Sequence, residues 1–377
     1  MPSHTSVRPH SDVLVIGGGQ AGLSAAYFLQ RFGLDGRYQV LDAAPHPGGA
    51  WQFRWPTLTL AGANHVHDLP GWGLVDALGQ ECDEFPAATA VPDYFARYEQ
   101  RFDLQIERPI RIRSVNRDGE LLRADLGGPD GEPRSVTTHA LINATGTWDN
   151  PFIPYIPGIA EFTGRQLHTH DYIGPEEFAG KRVLVVGAGI SAVQLLIEIA
   201  RHAPGVQTFW CSRREPHFDA SPFDPDKGRR AVARVEERVR AGLPPTSVVS
   251  VTGLALTPAI EAAKRDGILD WRPMFTRITE TGVCWDCGTD EGGRHTDLDV
   301  DVIFWNTGFR GALDHLAPLH LRAPGGGITM TGRLATVVAD DPRIQLLGYG
   351  PSASTIGANR AGREAARVAA DTIAQIA

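Results

Sequence analysis

One supersecondary unit occurs twice in this chain, and that duplication restricts the fold more than any other feature. From Val13 the sequence runs VLVIGGGQAGLSAAYFLQRFGL: a short β-branched run, a cluster of glycines, then apolar residues at helical spacing as far as Gly33. From Arg182 it runs RVLVVGAGISAVQLLIEIARHAP in the same order. Each copy reads as a strand, a tight turn and a helix. The expected fold class is therefore α/β, with two Rossmann-like dinucleotide-binding domains. The length of 377 residues agrees, at roughly 100–200 residues per domain.

The glycines carry the first chemical argument. Gly17, Gly19 and Gly22 fit G-x-G-x-x-G. The first permits a tight turn, the second lets a pyrophosphate approach the backbone, and the third packs helix on strand. A phosphate then meets the N–H groups and positive dipole end of the helix. A second strand, YQVLD, ends at Asp42, at about the twenty-residue spacing where an acid accepts from a ribose hydroxyl. In the later copy Gly187 and Gly189 recur, with Ala192 third, but the next strand, VQTFW, runs into CSRREP. Ser212, Arg213 and Arg214 offer donors suited to a 2′-phosphate rather than a bare ribose, so this turn reads as built for NADPH. Two such sites suggest a flavin held in the first and a nicotinamide visiting the second.

Composition removes other classes. With 42% hydrophobic residues, 21% charged residues and a formal charge of −8, the chain reads as a soluble globular protein with no pull toward nucleic acid. The arginines of KGRRAVARVEERVRAG alternate with acids at helical spacing, as on a solvated helix face. The start, MPSHTSVRPHSD, lacks the apolar core of a signal peptide. VLVVGAGISAVQLLIEIA is broken by Gly187 and Gly189 and carries Glu198, so it reads as strand, turn and helix and not as a membrane span. Four cysteines are too few for a disulfide framework, which points to a reducing, cytoplasmic setting.

Several segments stay ambiguous at this level. FTGRQLHTHDY places His168 beside His170, and imidazole is the commonest metal ligand, yet no third ligand at suitable spacing accompanies them. No metal is expected. Cys284 and Cys287 form CWDC within GVCWDCGTDEGGRHTDLDVDVIFWNTG, which reads as a hairpin feeding a buried strand. The stretch from EPHFDASPFDPD to about Arg277 shows no readable pattern beyond the charged helix. The tail reads as a strand, RIQLLGYG, and a closing helix that Ser354 or Thr355 can cap.

Taken together, these motifs resemble the flavin-containing monooxygenases, particularly short bacterial ones. Phe162, Gly164, His168 and Tyr172 match that family's F-x-G-x-x-x-H-x-x-x-Y/F; GGAWQ matches its G-G-x-W; NATGTWDNP and NTGFR are similar to its two A-T-G linkers, the second with Asn306 in place of Ala. The resemblance implies a FAD domain of residues 1–150 and 309–377, interrupted by an NADPH domain of residues 151–308. FAD would be held by Gly17, Gly19, Gln20, Gly22, Asp42, Gly49, Trp51, Thr145, Gly146 and Thr355. NADPH would be held by Tyr172, Gly187, Gly189, Ser191, Ser212, Arg213 and Arg214. His168 becomes architecture at the join of the domains. The pair in CWDC falls after the nicotinamide turn, whereas in thioredoxin reductases it precedes it, which argues against redox-active thiols.

The implied activity is reduction of flavin by NADPH, uptake of O2 as a flavin C4a-hydroperoxide, and oxygenation of a small-molecule sulfide or amine. Baeyer–Villiger oxygenation is disfavoured by Tyr172, where those enzymes have Trp, and a plain NADPH oxidase is the other rival. Many family members carry an Asn about ten residues after the G-G-x-W tryptophan. Here that position is Ala61 and the nearest amide is Asn64, the candidate catalytic residue. Poor coupling is expected, and a homodimer is possible.

Overall fold

The structure, a computed structural model, describes residues 7–63, 66–81, 83–127, 134–220, 225–246, 253–285 and 297–376, with the side chains of 225–229 and 231 left aside. It divides into two units. One comprises Met1–Asp149, Val232–Val248 and Gly311–Ala377; the other comprises Asn150–Ala231 and Val249–Arg310. The second is thus inserted into the chain of the first. The excursion Val232–Val248 falls inside the stretch that the sequence boundaries assign to the insert.

The first unit opens with β1 (His10–Ile16), α1 (Gln20–Arg31) and β2 (Tyr38–Leu41). There follow α2 (Leu74–Leu78), α3 (Ala87–Arg101), β3 (Ile106–Glu107), β4 (Arg111–Asp118), β5 (Leu121–Gly127) and β6 (Arg134–Asn143). β1 lies between β2 and β6, parallel to both, in register Val15↔Val40 and Val15↔Ile142. β4 and β5 pair antiparallel and hang from β6. The VLVI of β1 is an uninterrupted apolar run because the strand is covered on both faces; Val13, Leu14 and Val15 are fully buried, and burying each contributes about 1.5–3 kcal/mol.

The second unit holds β7 (Arg165–His168), β8 (Arg182–Val186), α4 (Ile190–His202), β9 (Gln207–Ser212) and β10 (Phe218–Asp219). α5 (Pro225–Arg240) carries the chain into Val232–Val248. The insert then resumes with β11 (Leu254–Ala255), α6 (Pro258–Arg265), β12 (Trp271–Pro273), β13 (Arg277–Ile278), β14 (Gly282–Cys284), β15 (Asp297–Asp299) and β16 (Val302–Trp305). Its main sheet runs β12-β9-β8-β16-β7, every pair parallel. β14 and β15 form the expected hairpin arms, antiparallel with Val283 opposite Leu298.

The first unit closes with β17 (Met330–Thr331), β18 (Val337–Val338), β19 (Ile344–Leu346) and α7 (Thr355–Ile376). β19 pairs parallel with β6, so the C-terminal segment completes the first sheet. α7 packs on α1 closely enough that a Cβ at Gly362 would sit 2.7 Å from Ser24 Oγ. Ser354, not Thr355, caps α7: its Oγ accepts from Gly357 N at 3.1 Å. α5 departs from the solvated helix of the sequence reading. Val235 and Val239 are fully buried, and Val239 belongs to the first unit's core with Ile328 and Tyr349.

Candidate functional site

The first glycine turn is dictated by sterics. Gly17 adopts φ +101°, and a Cβ there would meet the Ala144 carbonyl oxygen at 2.6 Å. At Gly22 a Cβ would meet Gly17 O at 1.9 Å. Gly19 differs, because a Cβ there would find only Gly49 Cα at 3.7 Å. The chain itself therefore tolerates a side chain at Gly19, so glycine there leaves room for something else. α1 starts immediately after Gly19 with no side-chain cap, leaving its first amides for a ligand.

Three neighbours complete this turn. Gln20 donates through Nε2 to His67 O (2.9 Å) and Asn359 Oδ1 (3.0 Å), while its Oε1 is buried without a partner. Gly49 and Trp51 lie in a 3-10 turn, Gly49–Phe53, whose entry at Gly48 is pressed on Pro92 of α3. Thr145 accepts from Asn143 Nδ2 (3.0 Å) and donates to Ala312 O (2.8 Å), so its hydroxyl braces the loop after β6. Gly146 in that loop takes φ +64°, and its carbonyl accepts from Ala312 N at 3.0 Å.

Asp42 ends β2 as expected, but its carboxylate is already half engaged. Arg108 Nε donates to Asp42 Oδ2 at 2.7 Å, and the rest of the Arg108 guanidinium grips Glu99 at 2.8 Å through both oxygens. Asp42 Oδ1 accepts only a long bond from Ala44 N, 3.4 Å, and is the atom left for a ribose hydroxyl. The three side chains are 9–12% exposed. Burial, the largest influence, raises the Glu99 carboxyl, and the Arg108 hydrogen bonds and charge offset it only in part. Arg108 and Glu99 were missed from sequence because neither stands in a motif. His315 was missed too: it contacts Asn143 Oδ1 at 2.7 Å, and burial pushes it down to about 4.

The second turn repeats the steric logic. Gly187, φ +150°, backs onto the Asn306 carbonyl, where a Cβ would stand 2.2 Å away. Gly189 is exposed, precedes α4 without a side-chain cap, and a Cβ on it would find nothing within 4 Å. Ser191 sits half-buried in the first turn of α4. Beyond β9, Arg213 and Arg214 are exposed, and neither forms an ion pair among the described residues. Ser212 is placed differently from the sequence expectation. It is 3% exposed, its hydroxyl donates to Arg214 O at 2.6 Å and accepts from Trp271 Nε1 at 2.9 Å, so its proton is spent within the protein. Sequence reasoning also missed β12, which sets Arg272 opposite Cys211, with its guanidinium over the Phe209 ring.

His168 resolves as architecture. It is 2% exposed; Nδ1 accepts from His170 N at 3.0 Å, so Nε2 carries the proton and donates to Gly308 O at 3.1 Å. Both nitrogens are thus occupied, and burial holds the ring below the usual histidine range. Among the described residues, the grouping with metal-ligand spacing is instead His10, Asp12 and His139, where Asp12 is already paired with Arg37. Tyr172, expected at the coenzyme, lies in the core: it is 4% exposed and stacked on Phe178 and Phe304, and burial, with the nearby Glu198, raises its phenol above the usual range. Asn306, the departure in the second linker, is satisfied by Thr169 Oγ1 at 2.8 Å. Asn64 and Cys287 lie outside the described residues. Cys284 is buried and disulfide-bonded, against the expectation of reduced thiols, and Cys211 is free with its thiol pushed up to about 12 by burial. Among the described residues no helix is long and apolar enough to cross a membrane.

Two uncapped helix N-termini, each facing a glycine whose side-chain space is open, fit one dinucleotide per unit, and known proteins bear on which. The pyridine nucleotide-disulphide oxidoreductase family matches residues 14–244. A flavin-containing monooxygenase from Stenotrophomonas maltophilia is 36% identical in sequence, superposes with a TM-score of 0.77, and covers 98% of this chain and 100% of its own. The chain belongs to the flavin monooxygenases. Membership brings use of FAD and NADPH with it. More distant relatives include a Baeyer–Villiger monooxygenase of Streptomyces coelicolor, 29% identical over 66% of this chain and 45% of its own. Senecionine N-oxygenase of Tyria jacobaeae is 28% identical over 55% of this chain and 50% of its own. The chain thus spans about half the length of the curated relatives it matches.

Proposed function

We propose that this flavin monooxygenase uses NADPH and O2 to oxygenate a soft nucleophile, a sulfide or an amine. The observation that carries this reading is the pair of open glycine turns, one in each unit, each set by backbone sterics at the end of a parallel strand. FAD would lie on Gly17, Gly19, Gln20 and Gly22, with its ribose on Asp42 and Gly49, Trp51, Thr145, Gly146 and Thr355 around it. NADPH would lie on Gly187, Gly189 and Ser191, with its 2′-phosphate on Arg213 and Arg214.

Bound and reduced flavin supplies the activation of O2. NADPH and a proton provide two electrons and the second hydrogen, so one oxygen atom adds to the substrate lone pair and the other leaves as water. The chain's own part is to hold both cofactors and exclude water. Ala61 is exposed and offers only a methyl group where the family resemblance implies an amide. With that donor missing, part of the reducing power is expected to leave as hydrogen peroxide, with Asn64 the residue able to substitute. Tyr172 lies in the core and acts on no substrate, but it stands where the segment characteristic of Baeyer–Villiger enzymes ends in tryptophan, and that signature supports the soft-nucleophile reading.

The test measures sulfoxide formed and peroxide released per NADPH consumed, with methyl phenyl sulfide as substrate. The reading expects both products, with Ala61→Asn shifting the balance toward sulfoxide and Asn64→Ala shifting it toward peroxide. Peroxide as the sole product with sulfides and amines would make the protein an oxidase, and an ester from a cyclic ketone under the same conditions would favour the Baeyer–Villiger reading.

A further inference from the structure

Arg54 follows the Gly49–Phe53 turn and carries a charge that nothing described in the chain balances. Among the described residues its guanidinium has no hydrogen-bond or ion-pair partner, and its Nε is buried with no partner. It lies over the rings of Trp51, at 5.6 Å, and of Trp148, at 4.3 Å. Indole faces attract the cation but satisfy none of its five in-plane N–H donors. Burial alone moves this guanidinium, lowering it to about 10, and no acidic group pulls it back. A half-buried guanidinium whose Nε is buried without a partner is costly unless an anion joins it.

The location narrows the anion. Trp51 belongs to the turn whose Gly49 abuts Gly19, and Trp148 follows the loop whose Ala144 abuts Gly17. Arg54 is therefore held between the two segments that flank the first glycine turn, beyond the C-terminal end of β6, the edge where open α/β sheets bind ligands. The pyrophosphate expected there is served by the N-terminus of α1, and the 2′-phosphate by Arg213 and Arg214 in the other unit. A third, planar oxyanion remains for Arg54, and the guanidinium fork matches a carboxylate in geometry.

We propose that Arg54 binds the carboxylate of the substrate, so that the preferred substrates of this monooxygenase are anionic: thioethers or amines bearing a carboxylate. This rests on the function proposed above only in naming the reacting group, and it is tested without turnover.

Oxidised, FAD-loaded protein is titrated with (methylthio)acetate and with its neutral counterpart (methylthio)acetamide, following tryptophan emission and the visible flavin band. The acid is expected to bind the wild type at least about 10-fold tighter than the amide. Arg54→Gln should weaken the acid by about 10- to 100-fold and leave the amide unchanged, while Arg54→Lys, which keeps the charge without the fork, should recover part of the difference. Equal affinity of acid and amide for the wild type would overturn the proposal, and needs no variant to fold. So would an equal loss of both ligands on Arg54→Gln. Loss of FAD from Arg54→Gln with the acid preference intact would assign the guanidinium to the cofactor's phosphate instead. Failure of oxygenation with the acid preference present would count against the proposed function and leave the carboxylate site standing.

Discussion

Replacing Arg108 with Met should destabilise the first unit through its two acids rather than through lost packing. Arg108 is 9% exposed and holds Glu99 in a bidentate pair and Asp42 through Nε. Methionine fills a similar volume but strands two buried carboxylates, and breaking a buried pair in this way costs about 3–5 kcal/mol. For a unit of this size that corresponds to a fall in Tm of roughly 6–20 °C. The pH dependence gives the mechanism away. Glu99 already has its folded pKa raised above the unfolded value, by burial that Arg108 only partly offsets. A carboxyl raised on folding binds more protons in the folded state, so its contribution to stability falls as pH rises through that pKa and returns on acidification. Without Arg108 the carboxyl should be raised further. The gap between Arg108→Met and wild type should therefore be widest at pH 8 and shrink toward pH 5. Thermal melts of the FAD-loaded protein across that range, followed by circular dichroism, measure the gap. Adding Glu99→Gln to Arg108→Met should recover part of the loss, because the double variant strands one charge fewer. A penalty below about 1 kcal/mol, as for an exposed pair, or a gap that does not vary with pH, would refute the argument.

Gly19→Ala should leave the fold intact but lower the flavin-to-protein ratio, since its Cβ meets only Gly49 Cα at 3.7 Å, whereas Gly17→Ala, 2.6 Å from Ala144 O, should lower Tm directly. Loss of fold in the first variant would mean the open space there serves packing. Arg213→Ala should cost about 1.5–3 kcal/mol of binding to NADPH and hardly alter NADH, read as the ratio of kcat/KM values; equal loss with both coenzymes would make the arginine structural. His315 is half-buried with its pKa down to about 4, so its contribution to stability is fully present above about pH 6.5 and lost as pH falls from there to 4, by up to about 3 kcal/mol. His315→Gln should flatten that acid limb in urea titrations, and an unchanged limb would assign it to other groups.

What could be read from sequence was local and steric. Gly17, Gly22 and Gly187 announce themselves because a single Cβ would collide with a backbone carbonyl one turn or one strand away, and no other residue escapes that collision. The strand and helix on either side of each turn follow from short-range apolar period, which is why the parallel strands around each turn were legible, whereas the antiparallel β4 and β5 of the first sheet were not. The charged helix α5 was only half legible. Its arginines and acids dominate the composition, while the burial of Val235 and Val239 depends on segments more than seventy residues later, including Ile328 and Gly350.

The parts of the site that could not be read share one physical cause, which is pairing at a distance. Asp42 stands 66 residues from Arg108, and nothing near Arg108 marks it as the partner. Ser212 meets Trp271 across 59 residues through β12, a strand of three residues, too short for any period to show. In both places a side chain picked out for a ligand turned out to have a protein partner first. Asp42 keeps one oxygen for a ribose, whereas Ser212 has given up its only proton. Arg54 is the reverse case. It attracted no attention inside GGAWQFRWP, yet among the described residues its guanidinium has only two indole rings for company. A residue's chemical type shows what it can bind, and only the inventory of partners shows whether that capacity has been used. Among the described residues that inventory leaves Arg213 and Arg214 to the proposed 2′-phosphate, and it leaves the Arg54 guanidinium beside the first glycine turn with no anion.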